Sequence, residues 1–135
     1  MESSFWLAAL AYLVPTFPLG YFWHLKIFRT NYDELGVYRD QVIIPFGLLS
    51  MVCQALLYAW LFPRLFSTAH TSWLTSAAQF GAVFGGLSWT VATLPAAAKY
   101  RMTSVSGFLG LETAFTVVHW AIVSPLIALA WRVPG

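Results

Sequence analysis

The chain has 135 residues, of which 59% are hydrophobic and only 9% are charged. A soluble domain has about 25% charged residues, so this composition excludes a soluble fold and predicts an integral membrane protein. The net charge of +2 comes from scattered residues, which argues against nucleic-acid binding. Because Cys53 is the single cysteine, the chain has neither an internal disulfide nor a thiolate metal cage.

Four apolar stretches are each long enough to cross a bilayer as a helix of about 20 residues. Since backbone polar groups in lipid must be satisfied within the segment, each stretch is expected to be helical. The predicted fold is an all-α membrane protein, a four-helix transmembrane bundle that forms a single domain over residues 1–135. The first stretch lacks a positively charged start, so it is expected to be retained rather than cleaved. The spans are predicted at residues 5–23, 42–62, 73–94 and 105–131, with Pro63 and Pro95 ending the second and third.

The basic residues predict how the bundle is oriented. Five of the seven lie in two connections, the one between spans 1 and 2 and the one between spans 3 and 4. The positive-inside rule places these connections in the cytoplasm and both termini on the non-cytoplasmic side. The five residues are Lys26, Arg29, Arg39, Lys99 and Arg101.

The longest connection is predicted to contain a short interfacial helix at about residues 31–40. Asn31 and Glu34 fit a capping box, and Leu35 and Tyr38 follow on one side of such a helix. The charges of this connection nearly cancel. A solvated surface is therefore the default expectation, and a face that docks a partner is the alternative.

Span 3 carries two adjacent stripes of small residues at four-residue spacing. Small residues at this spacing let another helix backbone approach closely, and helix association in lipid depends on such packing. The small face is broad enough to contact two neighbours, so it can serve the bundle, a second copy of the chain, or both. One stripe is Ala77, Gly81 and Gly85, and the other is Ala78, Ala82 and Gly86.

Span 4 carries the acidic side chain that the sequence places inside the bilayer. Glu112, Thr116 and His119 share one helical face, which should point to the bundle interior or to a wet cavity rather than to lipid. Glu112 and His119 are about 10 Å apart along the helix, so they are expected to be bridged by Thr116 or by water. Gln54 and Gln79 are the other candidates for this polar seam, with Gln54 near His119.

Three interpretations of Glu112 and His119 compete. They are structural hydrogen-bonding groups, or they mark a proton or cation pathway, or His119 ligates a cofactor. The third has little support, because haem held by two histidines needs a second histidine at similar depth, and His24 and His70 lie at opposite interfaces. A pocket that binds bacteriochlorophyll through a histidine commonly has a small residue four positions before that histidine. In this chain the position holds the large Phe115, which argues against such a pocket. No cofactor and no metal are expected.

The sequence contains no soluble-enzyme motif such as a phosphate-binding loop, H-E-x-x-H or G-x-S-x-G. The leading hypothesis is a small non-enzymatic membrane protein whose partners are the lipid bilayer and either further copies of itself or other membrane subunits. The alternative is a small proton- or cation-coupled transporter that acts as a dimer with Glu112 in the pathway. The segment from Gly20 to Trp23 loosely resembles the segment from Gly86 to Trp89. A weak internal repeat of this kind would suit a transporter built from a repeated two-helix hairpin.

Three short motifs lie near the ends of the spans: Phe17-Pro-Leu-Gly20-Tyr-Phe-Trp23, Gly86-Leu-Ser-Trp89 and the span 4 pattern that ends at Trp131. With these motifs the chain resembles a family of small bacterial membrane proteins, catalogued as a domain of unknown function. The resemblance implies a four-helix fold in the bacterial cytoplasmic membrane and supplies no activity. The charged connection around Asp33 and Glu34 departs from the family pattern.

Overall fold

A computed structural model describes residues 2–66 and 72–132 of the chain. All the secondary structure in this part of the chain is helical. The α-helices are α1 (Glu2–Phe22), α2 (Arg29–Leu35), α3 (Ile44–Leu65), α4 (Trp73–Ser88), α5 (Leu94–Lys99) and α6 (Val105–Arg132). Two π-helical segments continue this path: Trp23–Ile27 extends α1, and Trp89–Thr93 joins α4 to α5.

Four helical stretches are long and apolar enough to cross a membrane, which confirms the predicted all-α, four-helix architecture. We call the end of the bundle that carries α2 the α2 end, and the end that holds Glu2 and Arg132 the terminal end. Residues 67–71, which include His70 and form most of the connection between α3 and α4, lie outside the described residues. The four stretches are Glu2–Ile27, Ile44–Leu65, Trp73–Lys99 and Val105–Arg132.

The helix α6 is the centre of the bundle. It packs against α1 on one side and α4 on the other, and α3 packs against α1. Small residues such as Ala8, Ala59 and Ala128 are fully buried in the main core, because small side chains let helix backbones approach in lipid. Aromatic rings complete this core: Tyr12, Tyr58, Phe62, Phe80 and Trp120.

The prediction that Pro95 ends the third span is wrong, because the helical path continues to Lys99. The π-helical segment before the proline explains the difference. Its wider turn is closed by the Leu94 N–H on the Trp89 carbonyl, and Pro95, which has no N–H to donate, follows directly in the first turn of α5. Pro63 is likewise followed by two more helical residues, to Leu65.

The connection between the first two spans contains a short helix, as predicted, but the helix begins and ends earlier than expected. Its N-cap is Phe28, so Asn31 lies inside α2 and the predicted capping box is wrong. Gly36 ends the helix at φ 74°, a left-handed conformation that glycine adopts without a steric penalty. Tyr32 and Leu35 pack on Phe108 in a second, smaller core. Two bonds from Thr103, to the carbonyls of Glu34 and Leu35, fasten α2 to the start of α6.

Candidate functional site

The carboxyl group of Glu112 is paired at the α2 end of the bundle. Its Oε1 atom lies 3.1 Å from His24 Nε2 and accepts a hydrogen bond of 2.6 Å from the Tyr32 hydroxyl. The side chains of His24 and Glu112 are only 18% and 17% exposed. The predicted bridge through Thr116 is absent, because Thr116 Oγ1 donates instead to the backbone carbonyl of Glu112. We call Glu112, His24 and Tyr32 the acid–histidine cluster.

The other ring nitrogen of His24, Nδ1, is a hydrogen-bond donor. Nδ1 lies 3.1 Å from the carbonyl oxygen of Gly20, which can only accept, so Nδ1 carries hydrogen. Nε2 then faces Glu112 Oε1. This contact gives the acid a polar partner, which a carboxyl group near the bilayer needs.

Tyr32 reaches the acid from outside the spans, because α2 lies across the ends of α1 and α6. Its hydroxyl also accepts a hydrogen bond of 3.2 Å from Trp23 Nε1, and its ring stacks on Tyr38 at 5.0 Å between centroids. Burial, together with the hydrogen bond to Glu112, raises the pKa of Tyr32 far above its usual value of 10. The hydroxyl is therefore a donor throughout the physiological range.

A second polar cluster lies closer to the terminal end, and we call it the mid-bundle cluster. His119 Nε2 lies 2.8 Å from Thr16 Oγ1, and the Tyr12 hydroxyl donates to Gln54 Oε1 at 2.6 Å. The Tyr12 and His119 rings meet edge to face, with centroids 5.4 Å apart. The sequence placed Gln54 near His119, and Tyr12 is the residue through which the two are joined.

The ring of Phe115 separates the two clusters. Its centroid is 4.5 Å from that of His24 and 5.4 Å from that of His119. Glu112 and His119 thus belong to different clusters although they share one face of α6. Among the described residues, no chain of hydrogen bonds joins the clusters. Gln79 is exposed on α4 and belongs to neither of them.

The two small-residue stripes of α4 have different environments. In the first, Ala77 and Gly85 are buried against α6, and a methyl group on Gly81 would stand 2.5 Å from Ser124 Oγ. In the second stripe every residue is exposed, and a methyl group on Gly86 would contact nothing within 4 Å. The first stripe therefore packs the bundle, and Ala78, Ala82 and Gly86 are left open.

An apolar groove runs along the open stripe, between α4 and α6. It has a volume of about 530 Å³, and its walls include Ala82, Gly86 and Ala121.

The part of the chain that the structure describes contains no group of three or more His, Cys, Asp and Glu residues able to hold a metal ion.

The sequence indicated Glu112 but not its partners. His24 is predicted at an interface, four residues after Gly20, and nothing in the spacing shows that it turns towards α6. Tyr32, Tyr12 and Thr16 were also missed, because an aromatic or threonine residue in an apolar stretch is common and carries no signal of its own. The scarcity of ionisable groups was the one available clue, since a lone acid near the bilayer needs a partner.

Comparison with protein families, curated proteins and solved structures finds no match for the chain. Membership of the small bacterial family suggested by the motifs therefore stays a prediction.

Proposed function

We propose that this chain is a small non-enzymatic integral membrane protein that works as a homo-oligomer, packed through the open stripe of α4. The observation that supports this proposal is the unequal use of two neighbouring stripes of small residues. One stripe holds α6 within the bundle, and the other, Ala78, Ala82 and Gly86, meets no partner helix among the described residues of the single chain.

The physical reason is that small residues matter most where another helix backbone comes close. Lipid tails are as apolar as leucine side chains, so helix association in a bilayer depends on close packing and interhelical hydrogen bonds. The open stripe and the adjoining groove, whose lining is mostly apolar, offer such a surface. Two copies related by a twofold axis would each bury the same stripe.

The orientation that we propose places the α2 end in the cytoplasm. Lys26, Arg29 and Arg39 lie in or around α2, and Lys99 and Arg101 lie in the neighbouring connection. The positive-inside rule then puts both termini on the non-cytoplasmic side. The resemblance to small bacterial membrane proteins suggests the cytoplasmic membrane as the location.

Disulfide cross-linking in liposomes tests the homo-oligomer. Ala82→Cys, in a Cys53→Ser background, should form a cross-linked dimer upon mild oxidation, because the stripe would bring two copies of residue 82 together. Leu57→Cys is the matched control: it is exposed and lies at a similar distance from the terminal end, on α3. A protein that stays monomeric in mild detergent and cross-links at neither position would overturn the proposal.

The alternative, a proton- or cation-coupled transporter acting as a dimer, receives less support from the geometry. A pathway through Glu112 would have to pass the Phe115 ring to reach His119. Glu112 is also engaged by two hydrogen-bonding partners. Transport that Glu112→Gln abolishes without unfolding the protein would restore this alternative.

A further inference from the structure

An apolar cleft lies between α1 and α3 at the α2 end. Its volume is about 310 Å³, within the roughly 300–1,000 Å³ of ligand sites in proteins. We define the cleft by residues from α1, from α3 and from the π-helical segment that follows α1. These residues are Phe17, Gly20, His24, Gly47, Leu48 and Met51.

The cleft is open because α3 leaves α1 as it approaches the α2 end. The buried residues of α3, Ala55, Ala59 and Phe62, all lie in its terminal half, whereas residues 44–50 are all exposed. Gly47 has no atom within 4 Å of the position of a Cβ. The opposite end of the cleft is closed where the Met51 side chain meets Gly20.

The cleft continues into a polar space, which we call the vestibule, and His24 and Tyr38 line both. The vestibule has a volume of about 380 Å³. Three cations and two acids line it: Lys26, Arg29, Arg39, Asp33 and Asp40.

The charges of the vestibule favour an anion. Arg29 Nε lies 3.6 Å from Asp33 Oδ2, which pairs one cation with one acid. This leaves two cations, Lys26 and Arg39, and one acid, Asp40, so the net charge of the lining is positive. His24 offers no free donor, because Gly20 and Glu112 occupy both of its ring nitrogens.

We propose that the cleft and the vestibule together bind a single-chain anionic amphiphile, such as a fatty acid or a lysophospholipid. The acyl chain would lie between α1 and α3, and the anionic headgroup would lie between Lys26 and Arg39. An apolar cleft that opens into a space with excess positive charge matches the two chemically different ends of such a molecule. This site is on α1 and α3, so it is separate from the open stripe on α4.

Native mass spectrometry of the full chain released from detergent micelles tests the site with defined probes. Oleate and lauroyl-lysophosphatidylglycerol should each give a saturable one-to-one adduct. Lauroyl-lysophosphatidylcholine has the same chain and a neutral headgroup, and it should bind at least about fivefold more weakly. Equal binding of all three, or of diacyl phosphatidylglycerol, would overturn the proposal, as would the absence of any saturable adduct.

Two glycine variants locate the acyl chain. Gly47→Phe should abolish the adduct, because its ring would fill the cleft. Gly110→Phe is the matched control, since Gly110 is equally open but lies on α6 outside the cleft, and it should retain the adduct. Retention by both variants would show that the chain binds elsewhere and would overturn the proposal.

Charge variants locate the headgroup and do not depend on whether the glycine variants fold. Lys26→Gln and Arg39→Gln alter two exposed side chains, and each should weaken oleate binding about fivefold. Arg64→Gln and Arg132→Gln, at the terminal end, should leave it unchanged. If the variants at the α2 end lose no more oleate binding than the variants at the terminal end, the headgroup does not bind in the vestibule and the proposal is refuted.

Discussion

At the terminal end of the bundle, α3 packs against α1 and aromatic rings fill the core, whereas at the α2 end α3 stands apart and the short helix α2 covers the core instead. The rings of Phe62, Phe80 and Trp120 meet at centroid distances of 5.2 and 5.6 Å in the first region. In the second, Glu112 is held by His24 and Tyr32. Close packing stabilises one end, and a paired acid covered by the short helix α2 stabilises the other.

The difference follows from where α3 packs. The buried residues of α3, Ala55, Ala59 and Phe62, all lie in its terminal half, and small residues there let the helices approach closely. Towards the α2 end α3 leaves α1, and side chains from the π-helical segment and from α2 contact Glu112 instead. The departure of α3 from α1 also creates the cleft.

The largest effect is expected from truncating the aromatic core. Phe80 is fully buried and contacts five other rings, so Phe80→Ala should destabilise the protein by about 3 kcal/mol, chiefly through the cavity that it leaves. Phe46→Ala, at a 68% exposed position of α3, should change stability little. Reversible unfolding in mixed micelles measures both. Equal effects would mean that the rings at the terminal end are not the main source of stability.

The next effect distinguishes the two small-residue stripes. Gly81→Ala would place a methyl group against Ser124 and should destabilise the fold by about 2 kcal/mol through overpacking. In the single chain Gly86→Ala introduces the same methyl group into open space, so under conditions that keep the chains monomeric it should be neutral or slightly stabilising, since alanine is the better helix former. The same unfolding assay compares them, and a loss at Gly86 as large as at Gly81 would contradict the packing described.

The raised pKa of Tyr32 predicts a loss of stability at alkaline pH. Its pKa is above 10 in the folded protein because of burial, so the stabilising contribution is complete below pH 10 and is lost as the pH rises above it. Between pH 9 and 11 the unfolded chain releases this proton and the folded one does not. The unfolding free energy should fall by about 1.4 kcal/mol more than in Tyr32→Phe. Equal pH dependence of the two proteins would show that Tyr32 ionises normally.

The smallest effect concerns the acid–histidine pair. A double-mutant cycle with Glu112→Gln and His24→Gln should give a coupling of about 1 kcal/mol in the unfolding free energy, because both side chains are largely buried. The control cycle is Arg29→Gln with Asp33→Asn, an ion pair in which both side chains are about 60% exposed. It should show little or no coupling. A coupling at Glu112 no larger than in the control would argue against the pairing.

The parts of the fold that could be predicted are those that depend on the sequence within a single segment. The four helical stretches and a short helix between the first two follow from length, hydropathy and loop composition. Pro95 and Asn31 show where local rules failed. A π-helical segment carries the chain past the proline, and contacts of Tyr32 and Leu35 with α6, rather than a cap at Asn31, set the start of α2.

The candidate site was predicted only in part, because it depends on contacts between distant parts of the chain. Glu112 was singled out as an acid needing a partner, and the structure pairs it with His24, which lies 88 positions away in sequence. Gln79 was one candidate for a polar seam, and it is exposed on α4.

The sequence by itself determined that the chain forms four apolar helices, because length and hydropathy act within each segment and need no partner. It also marked the small stripes and the lone acid. Only the tertiary structure decided which stripe is buried, which residues contact Glu112, and where α3 leaves α1. Helices that are apolar on nearly every side carry no periodic signal for which face turns inward, so packing against the neighbouring helices makes that choice.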